Sequence, residues 1–331
     1  EPGYSAGFDE NGGLEDPSSR WGGIQRALTT TDFESANIEY IQFWIMDPFN
    51  EDSENTTGGD IYFNLGNVSE DILNDSQLEF ENGLPSATTT DLPTDTSSWA
   101  IYPDPSTFNV VNAFDNSSGN YSLQDVGLDG MNSSVEREHF ADWLTGLEES
   151  NILTQEAMST IENDPSSDDF RYFRNPTSQA LEENIIDRYK YFSRYEGNSN
   201  TGSPDGYPIT ATTIPNSEDI NQDITLGTIE SYYQYKISMR PSDLGEANVG
   251  NNYITDVYET LSQSATSNEQ KPIKWYQFKI PVREYEKRVG SISDFRSIRF
   301  MRVFMKGWSQ PVTMRFARMD LVRGEWRKYE G

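Results

Sequence analysis

The residues whose types and spacing best suit chemistry lie in the stretch QDVGLDGMNSSVE, residues 124–136. Asp125, Asp129, Gly130, Ser133 and Glu136 fall at positions one, five, six, nine and twelve of a twelve-residue calcium loop, with the Met131 carbonyl at seven. Such a loop wraps a hard cation in oxygens, and the glycine at six allows the sharp turn. Position three is Gly127, which offers no side-chain oxygen, and no strong helical pattern precedes the loop. Two readings stand side by side: a bound calcium ion with a structural role, or a solvated Asx turn ahead of a helix. A second, weaker metal candidate is Asp219, Asn221 and Asp223, where alternate oxygens match the first half of such a loop but Ile224 replaces the glycine. A capped turn is the alternative there.

Enzymatic constellations are scarce. His139 is the only histidine and the chain has no cysteine, which excludes two-histidine metal sites, histidine triads and thiolate chemistry. No nucleophile elbow, phosphate-cradling glycine loop or dinucleotide fingerprint occurs. A glycosidase needs only two carboxylates, but nothing singles out a pair among 54 acids, so no catalytic residue is expected. Aromatic side chains on a β-sandwich can bind sugars, and Trp99, Trp275, Trp308 and Trp326 are the candidates. Trp99 and Trp308 lie in loop-like sequence and are the expected glycan platform if there is one.

Elements able to position these groups must come from a chain of 331 residues with net charge −29. That charge disfavours nucleic acid and anionic membranes as partners. Its distribution is uneven: residues 271–331 hold 15 of the 25 Lys and Arg against 6 acids. Either a basic terminal sheet packs beside acidic loops of its own fold, or it forms an electropositive docking face. No run of eighteen apolar residues is present, so no transmembrane helix is expected. The opening EPGYSAGFDE has neither an initiator Met nor a charged-then-apolar leader, and reads as a mature or excised piece.

Hydrophobic alternation predicts strands at 37–49, where both faces are apolar as in a central strand, and at 61–66. Further strands are expected at 230–239, 274–282, 297–307 and 312–326, the last two with Arg interleaved among apolar residues. Between them the chain is rich in Asp, Asn, Ser, Thr and Pro, with helical spacing at 134–148 after a Ser cap, at 153–162 and at 178–195. The predicted fold is mainly β: a jelly-roll-like antiparallel β-sandwich built from 36–87 and 225–331. Residues 1–35 are an extended N-terminal segment, and 88–224 are a helical, loop-rich insertion.

Several long phrases carry a resemblance. RWGGIQRALTTTDFESANIEYIQFWIMDPF (20–49), GGDIYFNLGNVSEDIL (58–73), ENGLP (81–85), QDVGLDG (124–130), PNSEDINQDITLGTIESYYQYKISM (215–239), KWYQFKIPV (274–282), and GSISDFRSIRFMRVFMKGW with PVTMRFARMDLVRGEWRKYEG (290–331) are similar, in the same order, to the SprA/Sov family. That family comprises the gliding-motility and cell-surface proteins of Bacteroidetes that form the outer-membrane translocon of the type IX secretion system. The resemblance implies a non-enzymatic channel protein whose large β-barrel passes cargo bearing a C-terminal secretion domain. It implies partners among other parts of the barrel, outer-membrane accessory proteins and cargo, in the bacterial cell envelope. This chain is expected to be a water-soluble portion, since few strands are present, Arg interrupts several, and acidic insertions separate them.

Overall fold

A computed structural model describes residues 7–50, 57–81, 93–104, 124, 126–168, 216–263 and 270–324. In chain order the strands are β1 (Trp21–Ala27), β2 (Ile38–Met46), β3 (Asp60–Asn67), β4 (Thr94–Thr96), β5 (Ile101–Pro103), β6 (Ser231–Ser238), β7 (Ile254–Gln263), β8 (Gln270–Pro281), β9 (Lys287–Val289), β10 (Phe300–Lys306) and β11 (Phe316–Arg323). Three α-helices are α1 (Ser133–His139), α2 (Ala141–Ser150) and α3 (Gln155–Asn163). The chain divides into two compact units, one made of residues 1–15 and 70–228, the other of 16–69 and 229–331.

The second unit is a mainly β sandwich of two antiparallel sheets, ordered β1-β10-β3-β6-β9 and β11-β2-β8-β7. Alternation along the strands explains the layering. Ile41, Phe43 and Ile45 of β2, Ile61, Phe63 and Leu65 of β3, and Phe278 and Ile280 of β8 are all fully buried, while the residues between them in β2 and β8 are less so. Phe43 links the layers: its ring lies 5.0 Å from Phe63 of the other sheet and 5.4 Å from Phe278 of its neighbour strand. The Tyr235 hydroxyl, also within the core, donates to the Val282 carbonyl at 2.5 Å, as a buried phenol must.

Several expectations are corrected. Strand β2 is central, between β11 and β8, but its second face is only half-buried: Tyr40, Gln42 and Trp44 are all partly exposed, and Lys279 Nζ lies 4.1 Å from the Tyr40 ring centre. Residues 21–27, read as part of an extended segment, form edge strand β1, whose mostly exposed pattern leaves no alternation to recognise. Strands β7 and β9 carry no clear apolar period either, and both lie at sheet edges.

Several cations of the basic terminal block pair with acids of their own unit. Arg302 grips Glu230 through two bonds of 3.0 and 3.1 Å, Arg296 meets Glu34 at 3.0 Å, and Lys274 meets Glu259 at 2.8 Å. On the outer face of the five-stranded sheet, Asp60 binds Arg240 at 2.6 Å and Lys236 at 3.3 Å.

The first unit holds the β4–β5 hairpin and the three helices. The helix expected over 134–148 is broken at Phe140 into α1 and α2. Its cap is Asn132, whose side chain accepts from the amides of Ser134 and Val135, instead of a serine. Thr154 caps α3 by accepting from the Ala157 amide. The helix expected at 178–195 lies outside the described residues.

Candidate functional site

The chemistry of the first unit centres on buried carboxylates. Glu70, Glu79, Glu81, Glu136, Glu218, Asp129 and Asp219 are all at most 5 % exposed. An ionised carboxylate taken out of water is costly unless hydrogen bonds or a counter-charge stabilise it. Seven in one unit therefore require a physical explanation.

The predicted calcium loop supplies two of them. Asp129 leaves the loop just before Gly130, whose positive φ of 68° makes the turn. Its Oδ1 accepts from the Met131 amide at 2.9 Å and its Oδ2 from the Ser166 hydroxyl at 2.6 Å. Glu136 projects from the first turn of α1 and accepts from the Ser166 amide at 3.1 Å. Carboxylate oxygens of Asp129, Glu136 and Asp168 lie within 4.8 Å of one another. Asp168 had no local signal in the sequence, because it arrives from beyond α3.

Gly127 shows how Asp168 fits. A Cβ built on this glycine would meet the Asp168 carboxylate at 1.8 Å, and its φ is 65°. The position that lacks a side-chain oxygen in the loop thus makes room for a carboxylate from elsewhere in the chain. Of the other residues in the predicted set, Met131 has its side chain buried, Ser133 is the first residue of α1, and Asp125 lies outside the described residues. Asp129, Asp168, Phe140 and the half-buried Trp99 line a cleft of about 190 Å³. Oxygen-only donors are the kind that hard cations take, so Asp129, Glu136 and Asp168 are the residues able to hold one here.

The second predicted set behaves differently. Asp219 closes on its own turn, accepting from the amides of Asp223 at 2.9 Å and Ile224 at 2.7 Å, while Asn221 Oδ1 also accepts from the Asp223 amide. Ile224, at φ 64°, occupies a left-handed position that a glycine would take more easily. The neighbouring Glu218 instead joins Asp71 and Asp75, with oxygens again within 4.8 Å of one another. Burial pushes the Glu218 carboxyl up to about 7. Glu79 is pushed up to about 9, first by burial and then by the charges of Asp75, Glu218, Asp129 and Asp71. The sequence reading missed Asp71, Asp75 and Glu79; the repeated four-residue spacing in DILNDSQLE was the available signal.

The remaining sequence candidates separate clearly. Trp308, expected to be exposed, is 7 % exposed and its ring lies 6.3 Å from Phe49. Gly59 explains the error: a Cβ there would meet the indole Nε1 at 2.4 Å, so the absent side chain admits the ring into the core. Trp308 therefore presents no face to a sugar. Trp275 is half-buried in β8, and Trp326 lies outside the described residues. His139 Nε2 lies 3.4 Å from the Ser98 carbonyl, and its ring packs edge-on against Phe140.

A different feature marks the surface of the sandwich unit. Its large, well-exposed apolar strand residues are Trp21 and Ile24 of β1, Tyr258 and Leu261 of β7, and Phe316 and Met319 of β11. All six stand on edge strands. No helix among the described residues is long and apolar enough to cross a membrane. Compared with protein families, residues 143–331 match SprA_N, described as a motility related/secretion protein. Comparison with curated proteins gives no match.

Proposed function

Since this chain belongs to the SprA family of motility-related and secretion proteins, we propose that it serves as a non-enzymatic contact domain of the type IX secretion translocon at the bacterial outer membrane. In this reading the sandwich packs against other parts of the translocon barrel or its accessory proteins, and so supports export of cargo bearing a C-terminal secretion domain. The observation that carries the reading is the placement of exposed apolar side chains on three edge strands. An edge strand offers unpaired backbone groups as well as side chains, and an unprotected apolar edge is a site for another chain to dock. Trp21, Ile24, Phe316 and Met319 sit on one edge strand of each sheet, and Tyr258 and Leu261 on the opposite edge of the smaller sheet.

The experiment is affinity co-purification from the envelope of the parent organism, with the chain in its natural context. Trp21→Glu together with Phe316→Glu is expected to reduce recovery of envelope partners while leaving the melting temperature near that of the parent. Ser293→Glu, an exposed change in a loop outside the three edge strands, serves as the control. Full recovery with the double variant, or no envelope protein recovered with the unmodified chain, overturns the reading.

A further inference from the structure

The loop 71–79 and the segment around Glu218 bring the carboxylates of Asp71, Asp75 and Glu218 together, with the buried Glu79 on the same loop, none of them part of the calcium loop read from the sequence. Asp71 holds the loop closed, its two oxygens accepting from the amides of Asp75 and Ser76 at 3.1 Å each. Glu218 reaches across from the other segment and accepts from the amides of Leu73 at 2.9 Å and Glu79 at 3.3 Å. In return, the Glu218 amide donates to the Glu79 carbonyl at 3.1 Å. These bonds aim the carboxylates: Glu218 Oε1 is filled by the Ile72 and Leu73 amides, while its Oε2 accepts from the Glu79 amide.

Glu79 supplies the independent observation. It is 1 % exposed, and its Oε1 is fully buried with no hydrogen-bond partner. Its amide donates to Glu218 Oε2 and its carbonyl accepts from the Glu218 amide, so it stands beside the cluster. Oδ2 of Asp75, itself in the cluster, is likewise buried without a partner. Buried polar atoms of a native fold are nearly always partnered, and an unpaired carboxylate oxygen facing other carboxylates is among the costliest exceptions. A cation supplies the missing partner to both.

We propose that Asp71, Asp75 and Glu218, with the orphaned Glu79 carboxyl beside them, form a binding site for a hard divalent cation, calcium by its ligand set. Oxygens bound to one calcium ion at about 2.3–2.6 Å are at most about 5 Å apart, which the 4.8 Å spread of Asp71, Asp75 and Glu218 satisfies. The donors are all oxygen, with no histidine nearby in sequence and no cysteine anywhere, so softer metals are disfavoured. Three carboxylates joined by water suit the flexible oxygen coordination that calcium takes, whereas magnesium demands a near-ideal octahedron. Bound there, the ion ties the 71–79 loop to the 216–219 segment and stabilises the first unit.

The test uses the whole 331-residue chain, stripped with EDTA and titrated with calcium chloride in a calorimeter. The unmodified chain is expected to bind calcium and to melt at a higher temperature in its presence. Glu79→Gln and Asp75→Asn, each isosteric, are expected to weaken this site by about ten-fold or more, since affinity follows ligand charge. Both should fold without metal at least as well as the parent, because each replaces a crowded carboxyl group by a neutral amide of the same shape, so a lost response cannot be assigned to unfolding. Binding at the Asp129 loop, if present, remains as a separate equivalent in both variants. The proposal is overturned if the unmodified chain takes up no calcium, or if both variants keep the parent's affinity and stoichiometry.

Discussion

Replacing Phe43 with alanine removes the ring that joins the two sheets. Phe43 is fully buried, and its stacking partners are Phe63, from the same early segment, and Phe278, from the late one. Deleting a buried phenylalanine ring costs about 3–5 kcal/mol, through lost transfer energy and the cavity left behind. With a urea m-value of about 2.5 kcal/mol per molar, a loss of about 4 kcal/mol lowers the unfolding midpoint by about 1.6 M. Single domains are stable by only about 5–15 kcal/mol, so the variant should fold but lose a large share of its margin. The assay is urea unfolding followed by tryptophan fluorescence, with Trp44 and Trp275 reporting from β2 and β8. Phe43→Leu fills part of the space and should lose clearly less. A loss below about 1.5 kcal/mol for alanine, the range of ordinary substitutions, would refute a core built across these two segments.

Three further outcomes follow from the same packing and bonding. Trp308→Ala should destabilise the chain by about 3–5 kcal/mol, as a core residue does and a surface sugar platform does not; an unchanged melt contradicts its burial. Gly66→Ala should cost about 1–3 kcal/mol, because the glycine adopts φ 152° and an added Cβ would sit 2.4 Å from the Ser231 carbonyl oxygen; a neutral result in thermal melts contradicts that geometry. Asp243 should titrate below the ordinary aspartate value of 3.8, because the hydroxyls of Ser238 and Ser242 donate to its carboxylate. Its depressed pKa means the associated stability is present above the ordinary value and is lost as pH falls through the folded one. NMR titration should find Asp243 shifted back upward in Ser238→Ala, and no change there contradicts the assignment.

The readable and unreadable parts of this chain differ in physical kind. Strands β2, β6 and β8 announce themselves because each buries residues at every second position along one face, and β3 and β10 because they are rich in apolar and aromatic residues. Strands β1 and β7 lie at edges, where backbone pairing on one side suffices and the side chains carry no period. Trp308 looked like a loop residue because its burial is created by Gly59, a position distant in sequence with no side chain to notice. In the first unit, Asp129 and Glu136 were legible because a calcium loop has fixed spacing. Asp168 and Glu218 were not, because each is delivered by the folded chain to partners far away in sequence. Glu79 was hidden for a related reason: among 54 acids, only coordinates distinguish one that is buried and lacks a partner.

Backbone amide exchange offers the most direct test of the contact role. Exchange rates would be compared between the isolated chain and the same chain assembled in purified secretion complexes. Amides of the edge strands β1, β7 and β11 should slow on assembly, while those of the interior strands β2 and β3, already paired on both sides, change little. Edge strands that exchange equally fast in both states would contradict docking through these edges, and with it the role assigned to this domain.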